Sequence, residues 1–213
     1  SDMKDLIAER TESVPGGFGG FFKMNPKVDD LPDRLAVPCG DNLRLMVMGG
    51  VKKGGMGCAC PENVLLKNLV QHLILKRDEV VIMDMEAGIE HLGRATSRFV
   101  NRLIIVVEPG RRSVETARRI VRLGMDLGLE KIGVVGNKIR NEDDRKFLIG
   151  ALAELDFLGF IPYDAGIIEA DLIGEYPETL ESETVRSLSR VAADLERFAF
   201  AAGEETERRS DGP

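Results

Sequence analysis

The chain has little of several things that would point to particular classes of protein. Of its 213 residues, none is Trp, only two are His and only three are Cys. Three cysteines do not make a disulfide framework, and no charged-then-apolar segment resembles a signal peptide. Even a long apolar run such as Leu103–Val107 falls far short of the ~18–20 residues that a membrane-spanning helix needs. The sequence therefore predicts a cytoplasmic protein with no membrane partner.

Positive charge is scarce as well. The 29 Lys and Arg residues face 36 Asp and Glu residues, which gives a net charge of −7. Phosphate backbones and anionic membranes are attracted by a net positive field, which this chain lacks. The composition therefore predicts no nucleic acid partner, while 43% hydrophobic residues are enough to form a packed core.

Short apolar runs recur from Leu43 onward, with segments of helical period between them. The runs are Leu43–Met48, Val80–Met83, Leu103–Val107, Ile132–Val135 and Phe157–Ile161. Runs that are apolar at successive positions indicate strands covered on both faces. The predicted fold class is α/β, with a mostly parallel central sheet flanked by helices on both faces.

The predicted helices have recognisable ends. Ser113 is predicted to cap a helix that stops at Gly128. Further helices are predicted over Pro61–Ile74, His91–Val100, Asn141–Leu155 and Glu183–Phe200. Residues 1–40 are predicted to be irregular after one short helix, residues 41–200 to form the domain, and residues 201–213 to be a disordered tail.

Polar groups follow the predicted strands at the edge where parallel sheets bind ligands. Asp84 comes directly after Val80–Met83 and can hold a hydrated Mg²⁺, and Gly88 lets the backbone approach a phosphate. The alternative is an Asp that only caps the next turn.

The last two predicted strands, Ile132–Val135 and Phe157–Ile161, are also followed by residues that could contact a nucleotide. Asn137 offers an amide donor and acceptor to a purine edge, and the aliphatic stem of Lys138 can cover the ring. The alternative is a turn Asn before an exposed Lys. Pro162 and Tyr163 end the last predicted strand, where a plain strand-to-loop exit is also possible. Three strand ends that each present a nucleotide-compatible group are less easily dismissed together than singly.

Cys58 and Cys60 form a Cys-x-Cys pair in a glycine-rich loop. Two thiolates one residue apart can face one ion, but a four-thiolate shell needs two more ligands. A two-fold dimer supplies them, because the same loop comes from both partners. The alternative is a pair of buried cysteines acting as small apolar residues.

Several strings resemble one known family. They are NPKVD at 25–29, GGVKKGGMGCAC at 49–60, VVIMDMEAGIEHLGR at 80–94, NKIRN at 137–141 and GFIPYD at 159–164. In this order they resemble the CooC-type nickel-insertion ATPases of carbon monoxide dehydrogenase maturation, within the MinD-like deviant P-loop ATPases. The Cys-x-Cys pair after a Lys-Lys-Gly-Gly loop is the most specific element of the resemblance.

The resemblance implies an ATP-dependent homodimer whose client is carbon monoxide dehydrogenase. It implies that Cys58 and Cys60 of each chain hold Ni²⁺ or Zn²⁺ at the dimer interface, and that Asp84 is the magnesium-side acid of ATP hydrolysis. It also implies that Asn137 and Lys138 recognise adenine and that the loop of Pro162 and Tyr163 flanks the base.

The sequence departs from the family at one point. A GKGGVGKT-like phosphate loop and the strands around it are absent from these 213 residues, and Gly16–Gly20 has no following Lys-Ser/Thr. The expectation is an N-terminally truncated member that is inactive as written. Two other functions stay open: a metal-binding dimerisation module without ATPase activity, and a partition- or division-type ATPase.

Overall fold

The computed structural model describes residues 3–13, 22–47, 61–74, 80–85, 100–175 and 183–195. The chain divides into two compact units, residues 1–99 and 100–213. The predicted boundary at residue 40 stays a prediction. The predicted disordered tail at 201–213, residues 91–99 of the helix predicted over His91–Val100, and residues 196–200 of the last helix lie outside the described residues; Val100 itself is not helical.

The first unit is built on helices. They are α1 (Met3–Thr11), α2 (Leu31–Leu35) and α3 (Pro61–Ile74), and the bounds of α3 are those predicted. Their apolar faces form one buried cluster of Leu6, Ile7, Val28, Leu31, Leu65 and Leu69. Arg10 on α1 bonds to Asp30, the residue before α2, at 2.6 Å between Nη2 and Oδ2. This bond ties α1 to the start of α2.

Two of the predicted strands are wrong. Within Leu43–Met48, only Arg44–Leu45 (β2) is a strand, and it pairs antiparallel with β1 (Val37–Pro38) with both strands exposed. Residues 80–83 form no regular secondary structure, and Val80 and Ile82 are 80% and 86% exposed. An apolar run becomes a buried strand only beside a partner for its backbone groups, and 80–83 pairs with no described strand.

The second unit contains a parallel sheet in the order β3–β4–β5. The strands are β3 (Leu103–Val107), β4 (Ile132–Ile139) and β5 (Asp156–Pro162). Each of these contains a predicted apolar run, and β4 continues past Val135 into polar residues. The central strand β4 is buried from Gly133 to Gly136.

Helices flank this sheet, which confirms the predicted α/β fold class. They are α4 (Arg111–Asp126), α5 (Glu142–Ala151), α6 (Ala165–Ile173) and the helical residues 183–195 (α7). Val191 of α7 packs in one cluster with Val135 and Leu158. The buried positions of α4 are Val114, Ala117, Val121 and Gly124, so one helix stripe faces the core.

Two predicted helix ends differ from the structure. Ser113 is not the cap of α4, which begins at Arg111 after Gly110; its Oγ instead accepts from the Glu108 N–H at 3.0 Å. The helix predicted over Asn141–Leu155 ends at Ala151, because the backbone leaves the helical region at Leu152. The stop at Gly128 is confirmed, since this residue has a φ of +81°, which glycine adopts without strain.

Candidate functional site

The carboxyl ends of β4 and β5 are joined by a hydrogen bond beyond the regular ladder. The Tyr163 N–H donates to the Ile139 carbonyl at 2.9 Å, one residue past the pairing of Ile139 with Pro162. Parallel sheets present their ligand-binding groups at this edge. The structure therefore places the loop of Pro162 and Tyr163 beside the segment that carries Asn137 and Lys138.

Asn137 and Lys138 lie at an irregularity in β4. The pairing with β5 shifts register between Gly136 and Ile139, as in a β-bulge, which turns side chains out of strict alternation. Lys138 has a φ of +56°, in the left-handed region, which costs a non-glycine residue about 1–2 kcal/mol. Strain of this kind persists only where surrounding contacts hold it.

The side chain of Lys138 makes such a contact. Its Nζ lies 2.7 Å from Oε1 of Glu108, the residue that follows β3. This hydrogen bond and the charge of Glu108 raise the pKa of Lys138 above its ordinary value, and the charges of Asp171 and Tyr163 add to the shift. The side chains of Lys138 and Glu108 are each about half exposed, so the pair fixes geometry more than it stabilises the fold.

The loop after β5 is held at its far end too. Asp164 is buried and caps α6, where its Oδ1 accepts from the Gly166 N–H at 3.0 Å. Tyr163 therefore sits between two fixed points, its own N–H bond to β4 and the helix cap. Its side chain is 43% exposed, which leaves the ring accessible at the edge of the sheet.

A second ion pair holds the segment after β4. Arg140 bonds to Asp144 through both Nε and Nη2, at 3.0 and 3.2 Å, and the Asp144 N–H donates to Oδ1 of Asn141, the cap of α5. Arg140 lowers the pKa of Asp144, and Asp144 raises the pKa of Arg140. The chain leaving the strand thus enters α5 in one fixed geometry.

A cleft of about 440 Å³ opens beside these residues. Its walls come from the end of β4, from β5, from α5 and from α7, and include Ile139, Arg140, Phe160, Pro162, Arg145 and Arg190. The first arginine is paired with Asp144, and the guanidinium of Arg145 lies 4.5 Å over the Phe160 ring. Glu142, Glu183 and Asp194 also line the cleft, so its walls carry charges of both signs.

The remaining predicted site residues belong to the first unit. Asp84 is exposed in a segment without regular secondary structure, while Gly88, Cys58 and Cys60 lie outside the described residues. Within the described ranges, no group of three or more His, Cys, Asp or Glu could hold a metal ion.

Sequence reasoning missed Glu108, Arg140 and Asp144. The Arg140–Asp144 pair had a usable signal, because opposite charges at i and i+4 in and before a helix commonly meet. No sequence signal marks Glu108, because its partner Lys138 is distant in sequence and only the pairing of β3 with β4 brings the two residues together.

The chain is similar to several curated proteins. It is 48% identical over 193 residues to the uncharacterized ATP-binding protein MJ0823 of Methanocaldococcus jannaschii, covering 90% of this chain and 74% of the relative. It is 42% identical over 174 residues to the carbon monoxide dehydrogenase accessory protein CooC of Rhodospirillum rubrum, covering 82% and 65%. A further ATP-binding protein of M. jannaschii, MJ0084, is 33% identical, and the chain spans 68% of it.

Other comparisons add little. No family model matches the chain. The MinD cell division protein of Aquifex aeolicus is a structural match at a TM-score of 0.40 and 20% identity, over 48% of this chain and 47% of its own. Among the described helices, none has the length and apolarity to cross a membrane.

Proposed function

This chain belongs to the CooC-type family of ATP-binding proteins, and on that premise we propose that it is a MinD-like ATPase that binds ATP and serves carbon monoxide dehydrogenase as an accessory protein. The relative whose name carries that role is 42% identical, and the chain spans 65% of its length. In this proposal ATP hydrolysis is coupled to the insertion of nickel, the cargo, into the dehydrogenase.

The observation that carries the ATP-binding part is the close placement of the β4 and β5 ends, joined by the bond from Tyr163 to Ile139. The half-buried amide of Asn137 offers one donor and one acceptor, which is the pattern that an adenine edge requires. The stem of Lys138 supplies an apolar cover for the ring. Pro162 and Tyr163 flank the base from the neighbouring strand end.

The engagement of the Lys138 ammonium supports a role at the base rather than at the phosphates. One of the three donors of the Lys138 ammonium is engaged by Glu108, since Nζ lies 2.7 Å from a Glu108 carboxylate oxygen. The negative charge of Glu108 also repels a polyphosphate. The phosphates of ATP would therefore be bound by other groups.

We propose that Asp84 is the magnesium-side acid of ATP hydrolysis, as the family resemblance implies. Magnesium, when bound, neutralises charge that develops on the transferred phosphoryl group. Asp84 is exposed and contributes a hard carboxylate ligand. Gly88, four residues later in the sequence, has no side chain that would hinder the approach of its backbone to a phosphate.

We propose that Cys58 and Cys60 hold the nickel cargo, or Zn²⁺, between two copies of the chain. The support is ligand chemistry: two thiolates per chain become four in a two-fold dimer, and soft thiolates suit these ions. Lys52 and Lys53 in the same loop favour the thiolate form of the cysteines. The cytoplasmic localisation stays a prediction that agrees with reduced cysteines.

One specific observation favours a second candidate function, metal binding without ATPase activity. The 213 residues contain no Gly-x-x-x-x-Gly-Lys-Ser/Thr sequence, which cradles phosphates in P-loop enzymes. Losing three charge-assisted hydrogen bonds of about 1.5 kcal/mol each weakens binding about a thousandfold or more. A metal-binding dimerisation module without ATPase activity is therefore the alternative for these residues alone.

The test compares bases without relying on phosphates. NMR titration of the ¹⁵N-labelled chain with adenosine should shift the amide signals of Ile139 and Tyr163, while guanosine should not. We also expect no phosphate release from ATP by these 213 residues. Equal responses to adenosine and guanosine, or none to either, would refute base recognition and favour the metal-binding module.

A further inference from the structure

The contact between Glu108 and Lys138 spans the gap between two adjacent strand ends. Glu108 follows β3 and Lys138 lies in β4, strands that pair in parallel from Leu103 to Val107. Its own backbone fixes Glu108, because its N–H donates to Ser113 Oγ at 3.0 Å in the first turn of α4. The main chain of Glu108 is therefore anchored at the start of α4, and its carboxylate reaches Lys138 from that fixed point.

Lys138, which pairs with Glu108, has a backbone conformation that is unfavourable for a residue with a side chain. Lys138 has a φ of +56°, at the point where the register of β4 and β5 shifts. Its side chain is half exposed, so burial in the core does not explain a long side chain at this position. The side chain is instead drawn across the strand ends by a carboxylate 2.7 Å from its Nζ.

From this geometry we propose that Glu108 is a positioning residue for base recognition: it holds the stem of Lys138 across the ends of β3 and β4, where the stem forms one wall of the base pocket beside Asn137. The inference rests on the proposed function, since it specifies how the same site selects its base. Glu108 acts through Lys138 and needs no contact with the nucleotide. Without the Glu108 carboxylate, the aliphatic stem of Lys138 samples other rotamers and no longer forms a wall of the base pocket.

The test uses Glu108→Gln, which keeps the shape of the side chain and removes its charge, with Glu115→Gln as the matched control. Glu115 is exposed on α4 and makes no ion pair in the described part of the chain. We expect Glu108→Gln to weaken adenosine binding about two- to fivefold, the range of a partly exposed ion pair, and to lower the adenosine-to-guanosine ratio. Glu108→Asp should recover part of the preference, and Glu115→Gln should match the wild type.

A second measurement separates a positioning role from an ordinary surface ion pair. NMR titration of Lys138 without nucleotide should show its pKa falling in Glu108→Gln. If the pKa falls and base preference stays at the wild-type value, the pair is structural only and the inference is overturned while the proposed function stands. If the wild type itself shows no preference for adenosine, both are overturned.

Discussion

At the scale of single residues, the end of β4 concentrates three unusual features within four positions. Asn137 and Lys138 occupy a register shift, Lys138 adopts a left-handed backbone, and Arg140 forms a two-point ion pair with Asp144. Strained and charged residues of this kind collect where a protein binds a ligand. Single substitutions here should therefore alter recognition more than they alter stability.

Asn137→Ala should relax the preference for adenosine over guanosine. The substitution removes the amide donor and acceptor, and each hydrogen bond contributes about 0.5–1.5 kcal/mol, so we expect a loss of about tenfold in adenosine affinity. Asn101→Ala is the matched control, because Asn101 is exposed before the start of β3, at the other end of the strand. NMR titration measures both. If the ratio of adenosine affinity to guanosine affinity is unchanged in Asn137→Ala, Asn137 is only a turn residue.

Asp144→Asn should lower stability at neutral pH and not at acid pH. Arg140 lowers the pKa of Asp144 below its ordinary 3.8. The pair therefore contributes stability that is fully present above 3.8 and disappears as the pH falls through the lowered value. Thermal unfolding from about pH 7 down to about pH 2 should show the melting temperatures of variant and wild type converging.

Asp143→Asn is the control for that pH series. Asp143 is the exposed neighbour in the first turn of α5 and forms no ion pair in the described ranges. A small effect is expected because the Arg140 side of the pair is exposed to solvent, and added salt should reduce the effect. A difference that persists at acid pH would mean that Asp144 stabilises the fold by something other than its charge.

At the scale of secondary structure elements, an apolar run forms a buried strand only where another strand pairs with it. Leu103–Val107 became β3 because β4 pairs with it, whereas 80–83 has no paired neighbour among the described strands. Asn137 and Lys138 are polar, so the apolar run ends before β4 itself ends at Ile139. A bulge admits polar residues into a strand, and its position depends on the partner strand rather than on local sequence.

The site was partly predictable for the same reason. Asn137, Lys138, Pro162 and Tyr163 each end an apolar run, and parallel pairing brings such ends together. Glu108 also ends one, yet a lone Glu after a strand carries no distinctive signal. Its role depends on a distance across the sheet, which no local pattern contains.

Packing of β4 against β5 gives an element-scale prediction. A Cβ at Gly136 would lie 2.5 Å from Cδ1 of Phe160, and this ring is fixed by stacking on Phe157 at 5.0 Å and by Arg145 above it. Gly136→Ala should therefore destabilise the chain by about 1–3 kcal/mol, the cost of overpacking. Denaturant unfolding measures the change.

Gly150→Ala is the opposite case and serves as the control. Gly150 lies exposed in α5, and a Cβ there meets nothing within 4 Å. Alanine should stabilise the helix by about 0.5–1 kcal/mol. If Gly136→Ala were tolerated as well as Gly150→Ala, the close approach of Phe160 to β4 would be wrong.

At the scale of the whole molecule, metal binding and dimer formation should be coupled. If Cys58 and Cys60 of two chains share one ion, native mass spectrometry should find one Ni²⁺ or Zn²⁺ per two chains, and metal removal should shift the protein toward monomers. The Cys58→Ser, Cys60→Ser double variant should lose both the bound metal and the dimer. Cys39→Ser, which replaces an exposed cysteine, should keep the metal and the dimer. One ion per chain would contradict a shared site.

The sequential order of β3, β4 and β5 also sets how the second unit reaches its fold. Leu103 pairs with Ile132 and Gly133 pairs with Asp156, so among the described strands each one pairs with the strand that precedes it in the chain. Each pairing requires the closure of a crossover that contains a helix, and parallel pairing of this kind forms slowly because the entropy of closing that loop is lost before the contacts form. The β4 amides, bonded on both sides, should then be the slowest to exchange with deuterium, and the candidate site at their end is borne by the most persistent strand of the unit.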